Sequence, residues 1–468
     1  MTTDSKHYFV CGIGGSGMAP IASLLKGKGH KVSGSDRAYD QGQTPEKFQA
    51  IKDSGFALFP QDGSGITSDV DFVVASAAVE NRIPDVAVAR EQNIPVLGKA
   101  DILATFLNTG DSVAIAGTSG KTTVTGMTGF VLRECGSDPA MMSGGHMVNL
   151  LDEGLKAGNA MTGQGVFVAE TDESDGSVEL YSPFITVLNN ISFDHKPMAE
   201  LRRMFTELME RTRDTVIINL DDKEAAALSS IPAKLLTFSV KNDQADFYAK
   251  DIQKAVDHVA FTLVYKEQGK SEDIKLHMPG LHNVSNALAA VSAAVAYGVD
   301  FDRAAQAISK FKGMKRRFEV VGTENNITVI DDFGHNPDKI AATLSTLKDF
   351  SGRVIVMFQP HGFGPTKMLK DDLIKTFKQF LGDVDILLMP EIYYAGGTAD
   401  KSISSRDIIN PLAESGLNAL FFETRNQIKD YIKNESQPFD RVVIMGARDD
   451  TLPAFARSIL DDCKQRAA

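Results

Sequence analysis

The sequence is poor in cysteine, in long apolar runs and in positive charge, and each shortage removes a class of function. Its 468 residues hold three cysteines, Cys11, Cys135 and Cys463, with no C-x-x-C pair. So sparse and odd a set offers no disulfide framework and no zinc site, and it fits a reducing compartment. The longest nearly apolar stretch, Ala287 to Val299, contains Ser292 and is too short to span a bilayer. The opening MTTDSKHYFV lacks a basic region followed by an apolar core, so it does not read as a signal peptide. A cytoplasmic protein without membrane insertion is expected. Acidic residues outnumber basic ones 61 to 49, for a net charge of −12. A field of that sign argues against a nucleic-acid partner and requires a local positive site for any anionic ligand.

Hydrophobic and charged contents of 43% and 24% are those of a globular protein with sizeable cores, and the length suggests about three domains. No short repeat, coiled coil or low-complexity tract is evident.

The chain is organised around Ser112 to Thr125, SVAIAGTSGKTTVT. An apolar strand pattern, Val113 to Ala116, enters a turn framed by Gly117 and Gly120, and Val124, Met127 and Val131 then recur at helical spacing. This is the layout of a phosphate-binding loop. The glycines let successive N–H groups and a helix N-terminus face phosphate oxygens. Lys121 supplies charge for the β- and γ-phosphates, and the Thr122 hydroxyl suits Mg²⁺. The loop is shorter than G-x-x-x-x-G-K-[ST], whose first glycine would fall at Ile115.

Nearer the start, the strand pattern Tyr8 to Cys11 runs into Gly12, Gly14 and Gly17, which satisfy G-x-G-x-x-G ahead of a helical pattern through Leu25. Asp36 follows the next short strand. The geometry demands only a diphosphate at a helix N-terminus, so a dinucleotide, a UDP-sugar and a structural turn all remain open. The run Phe72 to Ala78 reads as a buried strand whose small end residues, Ser76 among them, suit either a close ligand or tight packing.

Several more strands end in polar clusters, where ligands of parallel α/β sheets sit. Val166 to Ala169 leads to Glu170 and the acids through Asp175, and Phe184 to Leu188 leads to Asn189, Asn190, Asp194 and His195. Glu170 and His195 are candidate Mg²⁺ ligands. Asn283 and Asn286 lie one helical turn apart, a spacing that lets their amides meet an adenine edge, although helix capping alone would explain one of them. Lys315-Arg316-Arg317 is a basic patch at a domain junction, either a solvated linker or a ligand group. Ile327 to Ile330 then ends in Asp331-Asp332-Phe333-Gly334-His335, and three further strands alternate with helices, indicating another parallel sheet.

Taken together, GIGGSGM (12–18), SGSD (33–36), AGTSGKTT (116–123), AETDESDGS (169–177), NNISFDH (189–195), GLHNVSNALAA (280–290), RRFE (316–319), DDFGHNP (331–337) and FQPH (358–361) resemble the Mur ligase family over nearly the whole chain. Its alanine-adding branch is the nearest, and the shortened phosphate loop is the one this family uses. The resemblance implies a three-domain α/β fold. A Rossmann-like domain (1–105) would bind a UDP-sugar, a central P-loop domain (106–315) ATP, and a C-terminal Rossmann-like domain (316–468) would recruit the amino acid.

It further implies an ATP-dependent ligase that joins an amino acid, L-alanine foremost, to the carboxylate of UDP-N-acetylmuramate through an acyl phosphate, in peptidoglycan precursor synthesis. Lys121, Glu170 and His195 would be catalytic, with Thr122, Glu170 and His195 on Mg²⁺. ATP would be held by Gly117, Thr118, Gly120, Lys121, Thr122, Thr123, His282, Asn283, Asn286, Arg317, Asp331 and His335. Gly12, Gly14, Gly15, Gly17, Met18, Asp36 and Ser76 would hold the UDP-sugar. A monomer or homodimer is expected.

Departures from the alanine-adding pattern keep other readings open. Ser119, Phe333 and Asn336 stand where that branch has histidine, tyrosine and a second histidine. Gly362 and Pro365, with Lys367 nearby, replace arginines, and Arg448 replaces a glycine. A preformed peptide or a different amino acid is therefore one alternative. A non-catalytic nucleotide-binding relative and an NAD-dependent dehydrogenase are alternatives of another class.

Overall fold

Strands such as Val113 to Ala116 are apolar on both faces, the pattern of a parallel sheet covered on each side by helices. Three such sheets form. The computed structural model describes residues 5–76, 83–155, 158–193, 196–230, 234–394 and 401–465. His195 and Asp194 lie outside the described residues, as do Ala77 and Ala78 of the expected strand end.

The first sheet contains β1 (His7–Cys11), β2 (Lys31–Ser35), β3 (Ala57–Phe59), β4 (Phe72–Ala75) and β5 (Val96–Gly98), in the order β3-β2-β1-β4-β5. All of its pairings are parallel. The order reverses between β1 and β4, which opens a crevice beyond their carboxyl ends. The glycine turn after β1 and Ser76 after β4 stand at that reversal.

The central sheet comprises β6 (Ser112–Ala116), β7 (Ala140–Met142), β8 (Ala160–Thr162), β9 (Phe167–Glu170), β10 (Ile185–Leu188), β11 (Thr215–Asn219), β12 (Lys234–Ser239), β13 (Phe247–Lys254), β14 (Val259–Tyr265) and β15 (Lys270–Leu276). Its order is β15-β14-β13-β12-β11-β10-β6-β9-β7-β8. β6 is flanked by β10 and β9, both parallel to it, with Ala116 beside Leu188 and Ile115 beside Glu170. The loops that follow these three strands therefore emerge side by side.

The third sheet holds β16 (Glu319–Glu324), β17 (Ile327–Asp332), β18 (Val354–Gln359), β19 (Ile386–Met389), β20 (Asn418–Phe421) and β21 (Arg441–Gly446), ordered β16-β17-β21-β18-β19-β20. Only the β16–β17 pair is antiparallel. Alternation along β18 sends Val354, Val356 and Phe358 into one core, with Leu344 and Phe377. Ile355 and Met357 enter the opposite core, with Ile432 and Leu452. Helices thus cover both faces, as expected of a doubly wound sheet.

The three-sheet α/β architecture matches the sequence reading, and its residues cluster into two compact units. One comprises 1–249, 263–272 and 285–311, and the other comprises 250–262, 273–284 and 312–468. The first sheet and the central sheet from β6 to β12 lie in one unit and share a core. Ile21, Leu24 and Leu25 of the helix Met18–Gly27 belong to the same buried cluster as Ala114, Phe167 and Phe205. The approach is close: a Cβ on Gly27 would lie 2.6 Å from that of Thr162.

Candidate active site at the strand ends

Local backbone chemistry builds the phosphate loop. Gly117 and Gly120 have φ of +122° and +83°, a region costly for residues with a Cβ. A Cβ on Gly117 would also meet the Asn190 carbonyl oxygen at 2.8 Å, and one on Gly120 the Asn286 Oδ1 at 2.8 Å. The helix Lys121–Glu134 starts directly after Gly120 and has no side-chain cap. Its first N–H groups have no partners within the helix, the arrangement that anions bind.

Asn190, from the loop after β10, clamps the turn. Its Oδ1 accepts from Ser119 N–H at 2.8 Å and Thr118 Oγ1 at 3.0 Å, and its Nδ2 donates to Ser119 O at 3.0 Å. Asn189 Nδ2 donates to the same carbonyl at 2.9 Å, and Asn286 Oδ1 lies 3.5 Å from that nitrogen. Asn286 is thus seated behind the loop. Thr122 and Thr123 are buried in the first helical turn.

Two acids from the end of β9 meet the two functional side chains of the loop. Thr122 Oγ1 donates to Glu170 Oε2 at 2.9 Å, while Glu170 Oε1 accepts from Gly144 N–H. Lys121 Nζ donates to Glu173 Oε2 at 2.6 Å and to Gly117 O at 2.6 Å. Burial raises the Glu173 carboxyl above the usual range and outweighs the attraction of Lys121. Gly144 was not foreseen, although the Gly-Gly pair after β7 is a local signal for close backbone approach.

The donor set suits Mg²⁺. Thr122 Oγ1 and Glu170 Oε2 are hard oxygens within one coordination sphere's reach, and Mg²⁺ commonly takes one or two protein oxygens plus phosphate and water. Among the described residues no group of three or more His, Cys, Asp or Glu could hold a metal. An all-protein cage is therefore not what the described residues build.

In the first sheet, Gly12 has φ +71° and its N–H donates to Ser35 O at 2.7 Å, fixing the turn against β2. Both Asp36 oxygens are engaged, with Gly14 N–H at 3.0 Å and Ala38 N–H at 2.8 Å. A Cβ on Gly14 would press on Phe48 at 2.9 Å and on Asp36 at 3.0 Å. Gly15 N–H donates to Gly12 O at 2.8 Å, and Gly17 at the N-cap of the helix Met18–Gly27 completes the bend. Met18 buries its side chain in the core. Ser76 is half-buried after β4.

In the second unit, Asn283 Nδ2 donates to Pro279 O at 2.8 Å, bracing the start of its helix, and His282 Nδ1 lies 3.5 Å from Thr346 Oγ1. The remaining candidates lie at the end of β17, in the turn after it and just before β16. Asp331 is buried, and Arg316 Nε lies 3.4 Å from its Oδ1. Burial lifts Asp331 to about 6 despite Arg316. The Arg317 guanidinium sits 4.6 Å over the Phe333 ring. His335 Nδ1 is 2.9 Å from Phe333 O, and burial, with Lys339 nearby, lowers its pKa to about 3. Arg316 and Phe318 hold positive φ of 59° and 52°, secured by Phe333 N–H on Arg316 O at 2.7 Å and Phe318 N–H on Asp332 Oδ2 at 2.8 Å.

Three family models match successive parts of the chain: Mur ligase family, catalytic domain, over 7–110; Mur ligase middle domain over 115–294; and Mur ligase, glutamate ligase domain, over 316–448. The chain is 33% identical to the UDP-N-acetylmuramate–L-alanine ligase of Pelotomaculum thermopropionicum, with 95% of each chain covered. It is 35% identical to the protein of that name from Geotalea uraniireducens, covering 94% of this chain and 95% of the relative. Among solved structures, the UDP-N-acetylmuramate-alanine ligase of Thermotoga maritima superposes with TM-score 0.76 at 26% identity, covering 99% of this chain and 100% of that one. A murein peptide ligase from Psychrobacter arcticus shares the fold, with TM-score 0.69 at 22% identity over 98% of this chain and 99% of its own.

Proposed function

The chain belongs to the Mur ligase family, and on that premise we propose that it is an ATP-dependent ligase joining L-alanine to the carboxylate of UDP-N-acetylmuramate in peptidoglycan precursor synthesis. The observation that carries this reading is the pairing of the Lys121–Thr122 turn with Glu170 at adjacent strand ends, in a chain alike over its length to ligases of that name. The dehydrogenase alternative leaves that pairing without a use. The relatives' names favour a single amino acid over a preformed peptide.

In the proposed reaction the sugar nucleotide's carboxylate attacks the γ-phosphorus of ATP, ADP departs, and an acyl phosphate forms. The amine of L-alanine adds to the acyl carbon, and inorganic phosphate leaves from the tetrahedral intermediate. Phosphoryl transfer is chiefly a problem of positioning and charge. Gly117, Thr118, Gly120 and Thr123 shape the turn that binds the triphosphate, and Lys121 neutralises its β- and γ-oxygens. Thr122 and Glu170 would hold Mg²⁺, with His195 on a second ion. Bound Mg²⁺ would supply further positive charge at the phosphate oxygens.

We assign His282, Asn283 and Asn286 to adenine, and Arg317, Asp331 and His335 to ATP from the C-terminal side. Gly12, Gly14, Gly15, Gly17, Met18, Asp36 and Ser76 are assigned to the UDP-sugar. Domain limits of 1–105, 106–315 and 316–468 follow this division. No helix among the described residues is long and apolar enough to cross a membrane. We assign the chain to the cytoplasm as a monomer or homodimer, and sedimentation measures the oligomer.

The deciding experiment offers UDP-N-acetylmuramate, ATP and Mg²⁺ with a panel of amino acids and peptides while phosphate release is recorded. Release dependent on L-alanine is expected. Release only with a peptide would move the chain to the peptide-joining branch, and ATP binding without amine-dependent turnover would make it a non-catalytic relative.

A further inference from the structure

We propose that Glu173 is a latch on the phosphate-loop lysine: it holds Lys121 in an ion pair that the triphosphate must break, and so sets the affinity for ATP. This rests on the reading of that loop as the ATP site.

Lys121 carries three N–H donors, and two are committed, to Glu173 Oε2 at 2.6 Å and to Gly117 O at 2.6 Å. Both bonds turn the ammonium back onto its own loop and the neighbouring strand end. The pair is sheltered, since the side chains are 15% and 4% exposed. Exposed ion pairs exchange freely with water, but a buried pair that loses one partner leaves a poorly solvated charge behind.

Glu173 is also held where it is. Asp172 Oδ1 accepts from Ser174 N–H at 2.9 Å and Ser174 Oγ at 2.6 Å, and Asp175 Oδ1 accepts from Ser177 N–H at 2.8 Å. Val178 and Tyr181, directly after, are anchored in the core. The segment from 172 to 181 is thus braced on both sides of Glu173, unlike a free surface side chain that could follow the lysine.

The third N–H of Lys121 can meet a phosphate oxygen while the pair stands, but the N–H given to Glu173 cannot, and the two bonds hold the ammonium against its own loop. Full engagement of the lysine by the triphosphate therefore requires Glu173 to let go, and the apparent affinity is reduced by the fraction of molecules in which it has. Glu173→Gln keeps the shape and removes the charge that holds the latch closed.

The test compares ATP binding to wild type and Glu173→Gln by calorimetry on the full chain, with Mg²⁺ and again in EDTA. ATP is expected to bind the variant about tenfold more tightly in both media, the factor for a competent state populated one time in ten. Equal or weaker binding by the variant overturns the latch. So does weakening confined to Mg²⁺, which would make Glu173 a metal ligand. If thermal melting shows the glutamine variant unfolded, Glu173→Asp, whose carboxylate is one methylene shorter, should show a smaller tightening, and no tightening there counts against the latch. Failure of wild type itself to bind ATP would remove the ATP site and the latch with it, whereas tight wild-type binding with an unchanged variant removes the latch alone.

Discussion

The Thr122 hydroxyl donates to Glu170 Oε2 at 2.9 Å, joining the first helical turn after β6 to the last residue of β9. If these oxygens share Mg²⁺, Glu170→Gln should lower kcat on the order of a hundredfold and raise the Mg²⁺ needed for half-maximal rate. Thr122→Ala should act in the same direction. The double variant should cost less than the sum, because the two act as one site. Mg²⁺ titration of ADP formation measures both effects, and strict additivity would separate the residues.

Lys121→Ala should cut ADP formation on the order of a thousandfold. Binding of UDP-N-acetylmuramate, assigned to the first sheet, should be largely retained. Parallel loss of both activities would contradict that division of labour, and calorimetry with the sugar nucleotide checks it.

The two glycine turns should fail separately. Gly120→Ala places a Cβ 2.5 Å from Asn189 Nδ2 at φ +83°, so it should destabilise the fold by about 1–3 kcal/mol and weaken ATP binding. Gly14→Ala presses on Asp36 at 3.0 Å and on Phe48 at 2.9 Å, and should raise KM for the sugar nucleotide with little change in KM for ATP. Steady-state kinetics against each substrate distinguishes the two.

Asp331 and His335 should bend the pH profile of stability in opposite directions. Asp331 titrates near 6 against a reference of 3.8, so the folded state keeps its proton longer, and stability from this group falls as pH rises from about 4 through 6. His335 is lowered to about 3 from 6.5, so its contribution is intact above 6.5 and falls as pH drops toward 3. Relative to wild type, Asp331→Asn should lose less stability on going from pH 4 to 6, and His335→Gln should lose less on going from pH 6.5 to 4. Urea titrations across pH 4–7 measure both, and a shift of like sign in the two variants would contradict these assignments.

The strand, turn and helix from Ser112 to Glu134 were legible because their signals are local. Gly117 and Gly120 are required by the backbone of one turn, and Lys121 and Thr122 follow on the same helix. The same holds for Gly12 and Gly14. The strand at Val113 to Ala116 and the helix after it could be placed from their apolar spacing alone, as could β17, β18, β19 and β21.

What lies between those segments was not legible. That Glu170 and Glu173 divide Thr122 and Lys121 between them depends on β9 pairing with β6, and that Asn190 clamps the turn depends on β10 lying on the other side. Nothing in the spacing of residues 116 to 195 dictates that order, because hydrogen bonds between parallel strands are alike whichever neighbours they join. Likewise the position of Asp36 after β2 did not show that Gly14 N–H and Ala38 N–H would each meet one of its oxygens, contacts that fix where the carboxylate stands. The sequence by itself determined the turns, the strands and the chemistry each strand end carries. The tertiary structure decided which strand ends stand together, and burial at those junctions then raised the carboxyls of Glu173 and Asp331 and lowered the His335 imidazole.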